Sequence, residues 1–371
     1  MSFREKLVRR GPKRLLSLDG GGVRGLIAIE ILARIESALR EAYGRPELVL
    51  ADYFDYIGGT STGAIIGTFV ALGKPVDELR DIFVKRAREM FSPSKVLQRF
   101  QNRYVSANLE RILKVILGDM TLGSDELRTL LLLVMRNATT DSPWPVSNNP
   151  SALFNDRTLP HCNLKLPLWQ LIRASTAAPM YFPPEVIDIG GERFIFVDGA
   201  VTMYNNPAFL LFLMATLEPY RLGWPSGEEN VLVISVGTGL SRHADANLKT
   251  GQMNVLYTAG SVPAALIYSA QVEQDKLCRI FGKSRAGDAL DAELGDLSEA
   301  GGTLGSKLFT YMRYNVALTR DGLDGLGLTD IREEHVRPLD CVERIEELQR
   351  VGRAAAERLV DVAHFEGFLN G

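Results

Sequence analysis

The pentapeptide Gly59-Thr60-Ser61-Thr62-Gly63 lies between two apolar runs and constrains the chain more than any other stretch. Residues 53–57 before it read as a short strand, and residues 64–70 after it as a helix. At such a join a Gly-x-Ser-x-Gly turn is so tight that small residues must flank the serine, whose Oγ is left exposed above the sheet. The helix that follows aims its free N–H groups and positive dipole end at the same place. The spacing predicts a nucleophilic Ser61 suited to acyl transfer.

The rest of the chain alternates in the same way. Residues 14–18 read as a buried strand running into Asp19-Gly20-Gly21-Gly22-Val23-Arg24-Gly25. Residues 26–43 then place Ile29, Leu32, Ile35 and Leu39 at helical spacing. Further helices are expected over 76–90, over 106–117 with Ser106 as N-cap, over 166–177, and onward from Asn206-Pro207. Strands are expected over 127–135, 194–197 and 231–236. This pattern predicts an α/β three-layer sandwich with a largely parallel central sheet. A catalytic domain is expected over 15–210, with the remaining strands and a helical C-terminal extension, 211–371, packed on it. Within the extension, 283–307 reads as a surface loop and 339–368 as an amphipathic helical segment. Residues 255–270 carry no charge. A buried core helix is the first reading of them, and a lid or lipid-docking segment the second.

Bulk properties exclude several classes. Lys and Arg number 42 against 45 Asp and Glu, a net charge of −3. No global field draws such a chain to nucleic acid or anionic lipid. Cys162, Cys278 and Cys341 are sparse and lie in no metal-ligand spacing, which fits a reducing compartment. Arg4, Lys6, Arg9, Arg10, Lys13 and Arg14 make the N-terminus basic, but no apolar stretch of signal-peptide length follows. It reads as a solvated arm. No stretch is apolar for long enough to span a bilayer, and a cytoplasmic protein is expected.

Acyl transfer needs a nucleophile, a base and donors for the oxyanion. Gly20 to Gly25 satisfies Gly-x-Gly-x-x-Gly, but a dinucleotide site also wants a second strand ending in an acidic residue about 20 positions on. Glu36 and Glu41 fall instead within one helical pattern. Exposed N–H groups at a helix N-terminus would equally suit a tetrahedral oxyanion. Arg24 would add charge there, or lie on the helix surface. Two bases are open. In the order Ser, Asp, His, His243 would complete a triad with Asp198, the other histidines being His161, His335 and His364. Alternatively Asp198, ending an apolar strand, acts directly with a pKa raised by desolvation. Arg173 and Ser175, beside the small-residue run 174–178, read as packing residues.

Asp19 to Gly25, Gly59 to Gly63 and Asp198-Gly199-Ala200, in this order, resemble the patatin-like phospholipase family. The likeness runs from about residue 15 to 207, and more weakly through 309–319 with Tyr311-Met312-Arg313-Tyr314-Asn315. It implies a Ser61–Asp198 dyad without histidine, and an oxyanion hole formed by Gly21 and Gly22 and supported by Arg24. Gly20, Gly25, Gly59, Gly63, Gly199 and Ala200 would complete the motifs. It implies membrane phospholipid as substrate, transient contact at the inner membrane, and neither cofactor nor metal. Some bacterial members similar to this chain are antiphage-defence effectors, which implies a cyclic oligonucleotide activator, leaves room for an oligomer, and gives no nucleic-acid partner. A Ser-His-Asp esterase using His243 and a non-catalytic nucleotide-binding module are the alternatives.

Overall fold

The computed structural model describes residues 3–90, 106–179, 181–241, 255–298 and 305–369. A short α1 (Phe3–Val8) leads into β1 (Lys13–Leu18), and α2 (Gly25–Tyr43) follows. One turn of helix, α3 (Leu50–Tyr53), precedes β2 (Tyr56–Thr60), which passes directly into α4 (Thr62–Ala71). Next come α5 (Val76–Met90), α6 (Ser106–Leu117), β3 (Leu130–Asn137), β4 (Ser142–Ser147) and α7 (Leu168–Ser175). A hairpin of β5 (Glu185–Ile189) and β6 (Glu192–Asp198) turns on Gly190 and Gly191, whose φ values of 67° and 90° suit glycine. The second half supplies α8 (Ala208–Thr216), β7 (Val231–Val236), α9 (Val255–Phe281), β8 (Lys283–Ala286) and β9 (Thr310–Tyr314). It closes with α10 (Arg320–Gly325), α11 (Glu333–Val336) and α12 (Ile345–Leu359).

Among the described residues all the strands join one nine-stranded sheet in the order β5-β6-β3-β2-β1-β7-β9-β8, with β4 also paired to β3. From β3 to β8 the neighbours are parallel, while β4, β5 and β6 pair antiparallel. Because strand side chains alternate, each parallel strand feeds two cores. Leu16, Leu18, Ile57, Leu131, Leu133 and Ile234 pack with α2 and α4 on one face. Leu15, Tyr56, Leu130, Leu132, Val233 and Tyr311 pack with α8 on the other. The expected three-layer, largely parallel α/β architecture is therefore present. Among the described residues, no helix is long and apolar enough to cross a membrane. Cys162, Cys278 and Cys341 are buried thiols.

Local expectations need four corrections. The nucleophile strand begins later than residue 53; helix α3 occupies Leu50–Tyr53, with the Val49 N–H donating to Asp52 at 3.2 Å, and β2 takes only Tyr56 and Ile57 of the expected range before running on to Thr60. The loop expected over 283–307 begins as β8, an edge strand paired with β9, whose Lys283 and Arg285 suit an edge. The basic N-terminus is not a free arm. Lys6 is buried and donates to the Ala51 and Phe54 carbonyls, its pKa lowered to about 8 by desolvation. Arg9 pairs with Asp55 at 2.9 Å, and Lys13 and Arg14 stack over Trp224 and Tyr53. Finally, α9 is not a buried core helix over its described side chains up to residue 270: Val262, Ala265, Leu266 and Ser269 are exposed.

The C-terminal helix α12 lies against α2 at Gly352, where a Cβ would stand 2.8 Å from Glu30 Cβ and 3.0 Å from Ile27 Cα. Gly352→Leu should therefore lower stability by about 1–3 kcal/mol, read as a lower urea midpoint with an unchanged slope.

Candidate active site

Ser61 sits between β2 and α4 with φ 55° and ψ −123°, a strained conformation for a residue bearing a Cβ. Its flanks explain how the strain is held. A Cβ at Gly59 would collide with the Gly63 carbonyl, and one at Gly63 with the Leu18 carbonyl. The Ser61 N–H donates to Ser175 Oγ at 2.9 Å, and Ser175 Oγ donates in turn to the Val134 carbonyl at 2.6 Å. Ser175 thus ties the turn to β3. Nothing in its sequence surroundings signals this beyond a run of small residues.

Sheet register brings the second group. Thr60, the last residue of β2, registers with Val134, and the next residue of β3, Met135, registers with Asp198 at the end of β6. Ser61 Oγ donates to Asp198 Oδ2 at 2.6 Å. The other carboxylate oxygen, Oδ1, accepts the Ala200 N–H at 2.8 Å. Gly199 lets the chain pass β3, since a Cβ there would strike the Val134 carbonyl. Asp198 is 1% exposed, and burial raises its pKa to about 7, against the lowering pull of the Ser61 and Ala200 bonds and of Arg173. The carboxylate is therefore a base of useful strength near neutrality.

The glycine loop borders the same space. Gly20 is fixed by its N–H to the Asn205 carbonyl at 3.0 Å and by Thr238 Oγ1 donating to its carbonyl at 2.9 Å. Among the described residues, the N–H groups of Gly21 and Gly22 have no partner. Gly22 has φ +59°, and side chains at either position would strike Thr238 or the Leu339 carbonyl. Gly25, which opens α2, leaves room for Thr62 Oγ1. Arg24 is not on the helix surface. It is buried, donates to the Arg337 carbonyl at 3.2 Å, and has its pKa lowered to about 10 by desolvation.

The loop is anchored from beneath by a buried ion pair that sequence reading did not assign. Arg313 on β9 donates to both oxygens of Asp19, at 2.9 and 2.6 Å, and also to Ser235 Oγ at 2.7 Å. Ser235 Oγ donates to Asn206 at 3.1 Å, and Gln271 of α9 donates to Asp19 at 3.1 Å. Asp19 holds the Arg313 guanidinium firmly in its charged form. Arg173, expected to pack, does so: it is buried over Phe182 and donates to the Pro183 carbonyl at 2.8 Å.

Ser61, Asp198 and the glycine loop open into a cavity of about 300 Å³ with apolar walls from Ile65, Leu109, Phe182, Val201, Ile267 and Leu339. An apolar slot above a serine–carboxylate pair suits an acyl chain. The dinucleotide reading fails, because α2 runs unbroken through Glu36 and Glu41 and Glu36 is occupied by the Leu50 and Val76 N–H groups and Arg40. His243 lies outside the described residues. His335 pairs with Glu347 and His364 with Tyr314, while Asp198 bonds to Ser61 and Ala200. His161 packs its ring against Phe154.

Residues 16–212 match the family model described as patatin-like phospholipase. Patatin-like protein 1 of Arabidopsis thaliana is 30% identical over 328 residues, 76% of this chain and 77% of that protein. A cGAMP-activated phospholipase of Escherichia coli is 30% identical over 232 residues, covering 61% of this chain and 62% of the relative. One of Vibrio cholerae is 31% identical over 240 residues, covering 61% and 64%. The match thus spans less than two thirds of the two bacterial relatives.

The raised pKa of Asp198 has a signed consequence for stability. The folded value, about 7, exceeds the ordinary 3.8, so the site's contribution is fully present below pH 3.8 and lost as pH rises through 7. Asp198→Asn should therefore gain stability relative to the parent between pH 4 and 8, by on the order of 2–4 kcal/mol. Urea unfolding at the two pH values measures it.

Proposed function

The chain belongs to the patatin-like phospholipase family, whose members are serine lipid acyl hydrolases, and on that premise we propose that Ser61 and Asp198 form its catalytic dyad. The observation that carries the reading is the 2.6 Å hydrogen bond from Ser61 to a buried carboxylate that titrates near neutrality.

In this mechanism Asp198 takes the Ser61 proton as Oγ attacks the ester carbonyl carbon of a phospholipid in the apolar cavity. The unpartnered Gly21 and Gly22 N–H groups donate to the carbonyl oxygen as charge develops on it. The buried Asp19–Arg313 pair keeps their loop in place, and Arg24 steadies it from the α2 side. Asp198 then protonates the departing alcohol, leaving an acyl-serine. Water loses a proton to Asp198 as it attacks the acyl carbon. Fatty acid leaves, and Ser61 recovers its proton. The direct bond between Ser61 and Asp198 favours this over a triad through His243.

The names of the two bacterial relatives, cGAMP-activated phospholipases, support a finer element, in which cGAMP switches on phospholipid hydrolysis. We infer that this switch acts in antiphage defence, at the inner membrane reached from the cytoplasm. Phospholipid hydrolysis measured with and without added cGAMP tests it. A rise supports the switch, and equal rates refute it.

Ser61→Ala should lower kcat/KM on phospholipid by about 10⁴–10⁶, with Asp198→Asn in the same range and His243→Ala unchanged. Retained activity in Ser61→Ala, or its loss in His243→Ala, would overturn the dyad. Since the base must be ionised, kcat/KM should fall about tenfold per pH unit below pH 7.

A further inference from the structure

Helix α9 presents two different faces to two different environments. Ala264, Ile267, Tyr268 and Gln271 line the cavity above Ser61. At 3.6 residues per turn, Val262, Ala265, Leu266 and Ser269 lie on the opposite side, and all four are exposed, Val262 at 42% and Leu266 at 65%. From Val255 to Val272 the sequence contains no Asp, Glu, Lys or Arg. Other helices of this protein treat water differently. The exposed face of α5 carries Asp77, Asp81 and Lys85, and that of α12 carries Glu346, Arg350 and Arg353. An exposed helix face that runs without a charge from Val262 to Ser269 is unusual for one that meets only water.

Further exposed apolar side chains stand at the cavity mouth. α9 packs against the turn Gly199–Val201 that follows Asp198. Val201 lines the cavity and is 38% exposed, and Met203 is 51% exposed.

We propose that the outer face of α9 from Val262 to Ser269, together with Val201 and Met203, is a docking surface for a phospholipid bilayer, which seats the cavity mouth on the lipid from which a single chain is drawn. The proposal rests on the lipid-hydrolase reading above for the identity of the occupant. Apolar side chains of this size enter the boundary between headgroups and acyl chains, and the first charges on this face, the paired Glu273 and Lys276, come one turn beyond Ser269. A second copy of the chain fits less well: the patch has six exposed residues among those described, whereas stable protein interfaces use roughly 20–30 a side. Gln271 couples the surface to the chemistry. It lies on the inner face of α9 and donates to Asp19, which anchors the glycine loop.

The test uses vesicles of phosphatidylethanolamine and phosphatidylglycerol, with binding read by cosedimentation of the full chain carrying Ser61→Ala. Adding Leu266→Glu or Val262→Glu should weaken vesicle binding by about tenfold or more, with little dependence on salt. In the active protein the same substitutions should reduce hydrolysis of vesicle phospholipid to a similar degree and leave a soluble short-chain ester cleaved at the parental rate. Leu266→Trp should bind vesicles as the parent does, with its emission shifted to the blue on binding. Vesicle binding unchanged by both glutamates overturns the proposal. So does a glutamate variant that converts a dimer into a monomer by sedimentation while the parent ignores vesicles, which would assign the patch to a second copy. A parent that binds vesicles through this face yet cleaves neither ester refutes the hydrolase reading and leaves the docking surface standing.

Discussion

Everything at the candidate active site depends on how β3 is shared. Its first half pairs in parallel with β2 and its last residues pair antiparallel with β6. The two registers meet between Val134 and Met135, so the strand carrying the serine ends where the strand carrying the aspartate arrives. Hydrogen bonding along a strand fixes position to within a residue, because a slip of one would turn every side chain to the opposite face. Both halves of β3 are buried on core side chains, which locks that register. The 2.6 Å contact between Ser61 and Asp198 is thus a property of the sheet more than of either loop.

Burial pushes the pKa of both aspartates of the site upward, but the two meet different partners. Asp19 meets a guanidinium bidentately, and this buried pair is structural: losing either partner would strand a charge at a cost of about 3–5 kcal/mol. Asp198 meets only a hydroxyl and one backbone N–H, with Arg173 acting from farther away, so desolvation dominates and its pKa rises. One carboxylate is tied to a guanidinium and positions a loop, while the other is poised to exchange a proton. The same sequence letter serves both purposes because its environment differs.

The switch in strand order adds the third component. β1 is flanked by β2 on one side and β7 on the other, so the chain leaves its carboxyl end toward one half of the sheet and returns on the other. A crevice opens at such a point in α/β sheets. Here it receives the glycine loop after β1, the serine turn after β2 and, across it, the inner face of α9. The long second half of the chain therefore serves the site directly, through Arg313, Ser235 and Gln271.

Local chemistry made much of this legible from sequence. Tight turns demand Gly59 and Gly63, apolar runs of strand length announce β1, β3 and β7, and the spacing of Ile29, Leu32, Ile35 and Leu39 announces α2. Those signals are carried by neighbours in the chain. What they could not convey are contacts between distant residues whose local sequence is ordinary: Ser175 under Ser61, Arg313 under Asp19, and Lys6 buried in what reads as a solvated arm. The uncharged run of α9 was equally ambiguous, since a helix without charges suits a core or a lipid surface, and only its packing separates the two faces. By itself the sequence determined the α/β class, the nucleophile turn and the order of the motifs, because steric limits on the backbone act over a few residues. Tertiary structure alone decided that Asp198 meets the serine directly, that Asp19 is held by an arginine and which apolar face is left open, because desolvation and register exist only once the sheet has formed.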